Sequence, residues 1–543
     1  MLRDETVVQI VAHCRALVTL DVSYNSTLTD AAVLGACAQL SAGKGSRALV
    51  DLNLSHLPLL TDASLAAVAQ EWGSRLRRLW VTHNARFSSI GVAEIALHCE
   101  GLLSLDFTDC TGVDFLGVVV RSSNGVQTQF VSRDFTHLSL SGCTGLLRGP
   151  LMDSGTGAQV SRVHLTFAWL VSACGLLTSL ELRGLGMLND DIIKGVIFGA
   201  PHLGSLDLAN CPGVGPESVM LIGTTRMRLR QLSLRAVGLT KGAQLLVPQE
   251  KETAYKGETD AAVAVRALLT GTALTLQVLD IAQNRGVSDF AMDLPHALPQ
   301  LRSVDVSGCS LGGLGVACLA ERATGLLHLS VADNALVNDA ALCVVAECCP
   351  RLLLLDVSKC PQLTDFSLMR VVESCVALQV LKANSATLQT DSKGGRWQQF
   401  TDALLEACLR AAALRHLELR NQCGIELQSP WLQQFTYVAE TDVGKTPAFC
   451  NGTLQIADLQ GWEGVQPRAL CNLLASIQVK SSTARFFLHC RKPLGSLFFY
   501  HSPCTSITLN PPPHLVPCSS WLLPPSALVC YLQMPSSSFH SVW

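Results

Sequence analysis

The sequence contains no Cys-x-x-Cys pair, although it carries 22 cysteines in 543 residues. Zinc fingers, zinc ribbons and thioredoxin-like sites all need closely spaced thiolates. Metal and redox roles therefore lose their usual signature, and packing becomes the leading role for the cysteines. Charge is scarce at 15% of residues and aromatics at 6%, against 48% hydrophobic, so the core is aliphatic with few large anchors. The formal net charge is -3. No global positive field would draw the chain to nucleic acid or anionic lipid, and neither is expected as a partner. The opening MLRDETVVQIVAHC has acids directly after its first basic residue and lacks a small-residue cleavage site. No secretory signal is read there, and the expected compartment is cytoplasmic and/or nuclear. Residues 493–543 hold no Asp, Glu, Lys or Arg. The Pro/Ser-rich stretch 481–543 is expected to be a disordered tail, though it lacks the charge usual in such segments. Its most apolar part, HLVPCSSWLLPPSALVCYLQM, is interrupted by prolines, so a membrane span is not expected.

What the sequence does have is a hexad, L-x-x-L-x-L. It starts at Leu17, Leu49, Leu76, Leu102, Phe135, Leu177, Leu203, Leu229, Leu276, Leu301, Leu326, Leu352, Leu378, Leu414 and, degenerately, Leu454. Seven of the fourteen intervals are 25 or 26 residues, the period of leucine-rich repeats, whose strand segment is this hexad. Eight residues after the start that repeat class places Asn or Cys. Nine of the fifteen starts comply, at Asn25, Asn84, Cys110, Cys143, Cys211, Asn284, Cys309, Asn334 and Cys360. Asn offers hydrogen bonds to a tight interior turn, and free Cys is a small, usually buried hydrophobe with a weak donor.

The second half of each unit is predicted helical. It opens on polar pairs such as LTD at Leu28–Asp30, Leu60–Asp62 and Leu363–Asp365, or LVND at Leu336–Asp339. Thr, Asn or Asp there can cap free helix amides, and an acid also suits the helix dipole. After Asp365 the apolar positions Leu368, Val371 and Val372 form one stripe with Cys375. The Asp-to-Cys spacing is ten residues in Asp4 to Cys14, Asp339 to Cys349 and Asp365 to Cys375, which predicts that all three cysteines pack. Asp4 to Cys14 reads as a helix half whose strand is absent, leaving Val8, Ile10 or Val11 on an open face.

The fold class is therefore α/β, a solenoid of about 15 repeats over residues 1–470. Long intervals predict insertions near 120–165, 240–265, 385–400 and 425–450. Two of them hold the charged, Gly-bearing stretches PQEKETAYKGETD and TDSKGGRW, which read as surface loops.

Catalytic and cofactor signatures are lacking. GKT at Gly444–Thr446 has Ala at 439, where a phosphate loop needs glycine. GGLG at Gly312–Gly315 lacks dinucleotide-loop spacing and reads as a tight turn. His13 and His98 directly precede Cys14 and Cys99, but adjacent helical residues do not share a face, so no dyad is read there. The chain is expected not to be an enzyme and to hold no cofactor or metal.

What remains is the strand face, where the middle position of the hexad is often acidic: Asp21, Asp106, Glu181, Asp207, Asp280, Asp305, Asp356, Glu418 and Asp458. This ladder could favour a basic partner or be plain repeat consensus. Departures from consensus mark the candidate partner-binding residues: Arg78, Trp80 and Thr82 in RLWVT, Arg183, Arg235, Lys382 and Arg420. Trp and Arg are the types most enriched at binding hot spots.

The unit C-x-x-L-x-x-L-x-L-x-x-C-x-x-L-T-D-x-x-L, seen best from Cys349 through Leu368, resembles the cysteine-containing leucine-rich repeat of F-box ubiquitin-ligase receptors and their F-box-less relatives. The resemblance covers roughly residues 4 to 470. It implies a right-handed horseshoe with a parallel inner β-sheet, outer helices and a concave face that holds a protein substrate. In the full receptors an N-terminal F-box docks the adaptor of a cullin complex, and no F-box is seen before Asp4. The expected function is non-catalytic substrate recognition in an SCF-type ubiquitin ligase, serving ubiquitin-dependent protein catabolism. The alternative is an F-box-independent scaffold or regulator of protein–protein interaction.

Overall fold

The computed structural model describes residues 2–43, 48–114, 135–147, 175–225, 227–239, 259–385, 400–422 and 424–436. It also describes the backbone segments 117–122, 125–130, 150–152, 159–161, 456–458, 485–487 and 507–508, and residues 454 and 465. Its contacts divide the chain into two units, Met1–Gly286 and Val287–Trp543.

In the first unit the centre of each hexad forms a three-residue strand: Thr19–Asp21, Asp51–Asn53, Arg78–Trp80, Ser104–Asp106, His137–Ser139, Ser179–Glu181, Ser205–Asp207, Gln231–Ser233 and Val278–Asp280. Each pairs in parallel with the next, and the register never slips. Leu20, Leu52, Leu79, Leu105, Leu138, Leu180, Leu206, Leu232 and Leu279 face one another rung by rung. These leucines are buried, and their strand neighbours point the other way because side chains alternate along a strand. One row of leucine thus fixes both the register and the face that looks outward.

The second unit repeats the scheme with Ser303–Asp305, His328–Ser330, Leu354–Asp356, Val380–Lys382, His416–Glu418 and Ile456–Asp458, aligned on Val304, Leu329, Leu355, Leu381, Leu417 and Ala457. Two further parallel strands, Arg485–Phe487 and Ile507–Thr508, continue it. They lie in the stretch expected to be a disordered tail, so the ladder runs past residue 480. The rest of that stretch lies outside the described residues. Both units are leucine-rich-repeat solenoids of the α/β class, with parallel strands on one side and helices on the other.

Helices cover the buried side. Thr29, Thr61, Ser88, Asn189 and Thr259 in the first unit, and Asn338, Thr364 and Thr401 in the second, cap their first amides through the side chain. The Asp that follows the cap does different work from the capping expected of it, because it reaches into the next repeat. Asp30 accepts from Thr61 N (2.8 Å), Thr61 Oγ1 (2.7 Å) and Ser64 Oγ (2.6 Å). Asp339 takes the same three bonds from Thr364 N, Thr364 Oγ1 and Ser367 Oγ, at 2.9, 2.6 and 2.5 Å. Asp4 binds Thr29, Asp62 binds Ser88, Asp190 binds Gly215 and Ser218, and Asp365 binds Thr401 likewise. Each carboxylate ties one helix start to the next.

Leu368, Val371 and Val372 are buried as the stripe requires. Two repeats depart from the helical expectation. Thr144–Leu147 and Asp289–Met292 are single 3-10 turns. In the second case Pro295 and Pro299 follow, and proline can neither donate to a helix ladder nor tolerate the preceding turn. Elsewhere helices approach closely at glycine. A Cβ on Gly223 would lie 2.4 Å from the Ala267 carbonyl, and one on Gly271 would lie 1.8 Å from that of Gly223. The helix Asp260–Thr272 starts inside the insertion expected at 240–265, with Thr259 and Asp260 again supplying cap and acid. The stretch expected near 120–165 carries two antiparallel hairpins, Gly117–Ser122 with Gly125–Phe130 and Pro150–Met152 with Gln159–Ser161. Residues 386–399 and 437–450, and GKT with them, lie outside the described residues.

Two expectations at the first repeat fail. Val11 is 1% exposed and Val7 3%, because this stripe of Asp4–His13 packs on the helix Asp30–Ser41, where Gly35 lets Val8 approach. Cys14 is exposed. Its counterparts Cys349 and Cys375 bury their thiols against carbonyls of the preceding repeat, Ala320, Ala323 and Cys349, and no described repeat precedes Cys14.

Candidate binding face of the sheet

The outward face is assembled at the strand ends, where one residue per repeat turns the chain. In the first unit Tyr24, His56, His83, Asp109, Asn210, Ala236 and Gln283 take left-handed backbone angles, with φ between 51° and 64°, and Gly142 and Gly184 do so at 68° and 75°. Each immediately precedes the Asn/Cys position of its repeat. Where that next residue is Asn or Cys, its side chain turns inward and hydrogen-bonds backbone there, and at most such positions the bond reaches the previous repeat. Asn84 donates to the Leu54 carbonyl (2.8 Å) and the Val81 carbonyl (3.0 Å) and accepts from Leu57 N (2.8 Å). Cys110, Cys143 and Cys211 donate to Val81, Phe107 and Leu182. In the second unit Asn334 and Cys360 do so to Val306 and Val331. Gln422 fills the same role toward Ala383 at 2.7 Å, which a search for Asn or Cys overlooks. Burial pushes the thiols of Cys110 and Cys360 up to about 12. They are packing residues rather than nucleophiles.

The acidic ladder turns out to have a local task. Asp21, Asp106, Asp207 and Asp280 each accept from the backbone amide two residues on, at 2.8–3.0 Å. Asp305 and Asp356 do the same in the second unit. One carboxylate oxygen thus holds the strand end before the left-handed residue, and the acid at mid-hexad serves the fold as well as the face.

The residues of RLWVT are brought together. Arg78 makes a two-pronged bond to Asp51, with Nε to Oδ1 and Nη2 to Oδ2 both at 2.6 Å. This guanidinium holds the Asp51 carboxyl below the usual carboxylate range. The same guanidinium lies 5.8 Å from the half-buried Trp80 ring. Thr82 is half-buried, and its backbone amide donates to Ser55 Oγ at 3.2 Å. Arg183 is exposed three rungs along, about 14 Å from that group at the usual strand spacing. Arg235, two rungs further, is tied to Asp280 at 2.9 Å.

Lys382 and Arg420 belong to the second unit. There Glu418 gathers His416 Nε2 at 2.9 Å, Asn384 Nδ2 at 3.0 Å and Lys382 Nζ at 3.2 Å. These partners, His416 first, hold the Glu418 carboxyl down at about 2. Arg420 is exposed beside them, its amide bonded to Asn384 Oδ1 at 2.9 Å.

A second feature of the first unit escapes the consensus comparison. The rings of Tyr24, His56 and His83 form a row along successive left-handed positions, with centroids 4.1 Å apart at both steps, stacked at the first and tilted by 41° at the second. His83 Nε2 ends the row 3.4 Å from Asp109 Oδ2. Burial in the stack and the neighbouring His83 hold the His56 imidazole below its ordinary value. The signal lies seven residues after each hexad start, where three ring-bearing residues and an acid follow in consecutive repeats. Among the described residues no group of three or more His, Cys, Asp or Glu is placed to hold a metal ion, and no helix is long and apolar enough to cross a membrane.

No protein-family model matches the chain, and no curated protein matches it. Among solved structures it is similar to an internalin from Listeria monocytogenes str. 4b F2365, with 14% identity, 78% of this chain and 84% of that chain covered, and a TM-score of 0.35. It is also similar to TLR13 from the TLR13–ssRNA13 complex, with 16% identity, 91% of this chain and a TM-score of 0.45. The chain spans 56% of the length of that protein. A third similarity is to the Rad7 and Elc1 complex in yeast, with 14% identity, 86% and 90% coverage and a TM-score of 0.39. At these values none of the likenesses fixes a function, and the fold rests on the ladder itself.

Proposed function

We propose that the chain is a non-catalytic protein-binding repeat protein that presents a substrate to an SCF-type ubiquitin ligase. The observation that supports this reading is the cysteine-type repeat Cys349–Leu368. Its consensus positions Leu352, Leu355, Val357, Leu363 and Leu368 are buried together with Cys349 and Cys360, and its Thr364 is the helix cap, as the resemblance to F-box receptors implies. The recognition residues are Arg78, Trp80, Thr82, Arg183 and Arg235 on the first unit and Lys382 and Arg420 on the second, all on the strand side of their repeats. The substrate is a protein, and the link to a cullin adaptor would run through an F-box outside the sequence described. Affinity capture of the tagged full-length gene product, read by mass spectrometry, tests this. Recovery of adaptor and cullin is the expected result. Their absence from repeated captures overturns the ligase role and leaves a repeat scaffold.

A further inference from the structure

The row Tyr24, His56, His83, Asp109 is not required by the fold. Left-handed backbone costs a side-chain-bearing residue about 1–2 kcal/mol relative to glycine, and the same position is glycine at Gly142 and Gly184. Bulky rings kept where glycine suffices point from backbone strain toward function. Tyr24 is 73% exposed, and His83 and Asp109 are exposed. The stack therefore offers ring surface to solvent over three consecutive repeats. The strands beneath it carry Asp21, Asn53, Trp80 and Asp106 at mid-hexad. Arg78 is the one cationic residue on these four strands, and it is committed to Asp51.

Ring faces beside carboxylates suit a planar, weakly hydrated cation better than an ammonium point charge, since a guanidinium can stack on the ring and fork to a carboxylate at once. An anionic partner would meet the like charges of Asp21, Asp106 and Asp109. We propose that this strip of the first unit docks an extended, arginine-bearing segment of a partner protein, with guanidinium groups over Tyr24 and Trp80 and against Asp21 and Asp109. The proposal rests on the protein-binding reading above and is independent of the ligase role.

The test is fluorescence anisotropy of the full chain with labelled peptides of alternating arginine and serine, the same with glutamate for arginine, and a labelled single-stranded RNA. The arginine peptide is expected to bind and the glutamate peptide and RNA to bind weakly or not at all, with affinity falling as salt screens the charges. Tyr24→Gly and Asp109→Asn should each weaken the arginine peptide about fivefold or more. Tyr24→Gly keeps the left-handed turn and relieves its strain, so its thermal midpoint should hold or rise. Equal binding of the glutamate peptide, tighter binding of RNA, or indifference to both substitutions in folded protein overturns the proposal. A chain that binds the arginine peptide yet captures no cullin adaptor loses the ligase reading and keeps this one; the converse result does the reverse.

Discussion

Asn84 and Cys360 occupy the same repeat position and do unequal work. Asn84 satisfies two buried carbonyls and one buried amide, whereas Cys360 offers one principal sulfur bond at 3.3 Å. Asn84→Ala strands three backbone groups and should cost about 2–4 kcal/mol, against about 1 kcal/mol for Cys360→Ala. Denaturant unfolding of the two variants beside the parent checks the order. Thiol chemistry separates the cysteines in another way. In the native protein Cys14 should alkylate with iodoacetamide well before Cys99, Cys110 and Cys360, whose thiols are buried and pushed up to about 12; peptide mapping of a time course reads this directly. At this scale the sequence was legible by residue type. Gln422 escaped because the search asked for Asn or Cys, while the repeat asks only for a side-chain N–H that reaches the previous carbonyl. Cys14 was misjudged because its surroundings depend on a preceding repeat, which spacing alone does not supply.

At the scale of the element, the polar pair before each helix was visible and half understood. Thr364 caps its own helix, as its type announces, but the partner of Asp339 lies 25 residues downstream, and a local motif cannot show which neighbour it serves. The two roles separate experimentally. Asp339→Ala should cost about 2 kcal/mol by stranding the Thr364 amide and leaving two hydroxyls without their carboxylate, and it should speed hydrogen exchange at Thr364. Thr364→Ala removes the cap and one of the staple bonds but keeps the amide bond to Asp339, and should cost about 1 kcal/mol. Exchange mass spectrometry with urea unfolding distinguishes them. The short turn Asp289–Met292 shows the opposite failure. Its prolines were in plain sight, yet a regular hexad spacing on both sides suggested a helix that proline does not allow.

At the scale of the whole molecule, the acid response should be dominated by groups such as Glu418. Its carboxyl is held at about 2 against an ordinary 4.5, so its stabilising contribution is complete above about pH 4.5 and disappears as pH falls toward 2. The full difference amounts to about 3 kcal/mol. Glu418→Gln should therefore be less stable than the parent at pH 7 and lose that deficit near pH 2, followed by urea midpoints across the range. The candidate site was legible where composition departs from consensus, as in RLWVT. It was not legible where geometry decides: Arg235 and Lys382 prove to be engaged with Asp280 and Glu418, and the ring stack emerges only once the left-handed positions are aligned.

The uniform register also bears on ancestry. Asp339 and Asp365 make the same bonds to Thr364 and Thr401, so excising residues 352–377, one full period, would bring Asp339 to Thr401 with every rung still matched. Gene segments of this length can be gained or lost by unequal crossing-over without retooling the neighbours. In such a lineage the number of repeats is itself a heritable variable, free to drift until a partner's footprint fixes it.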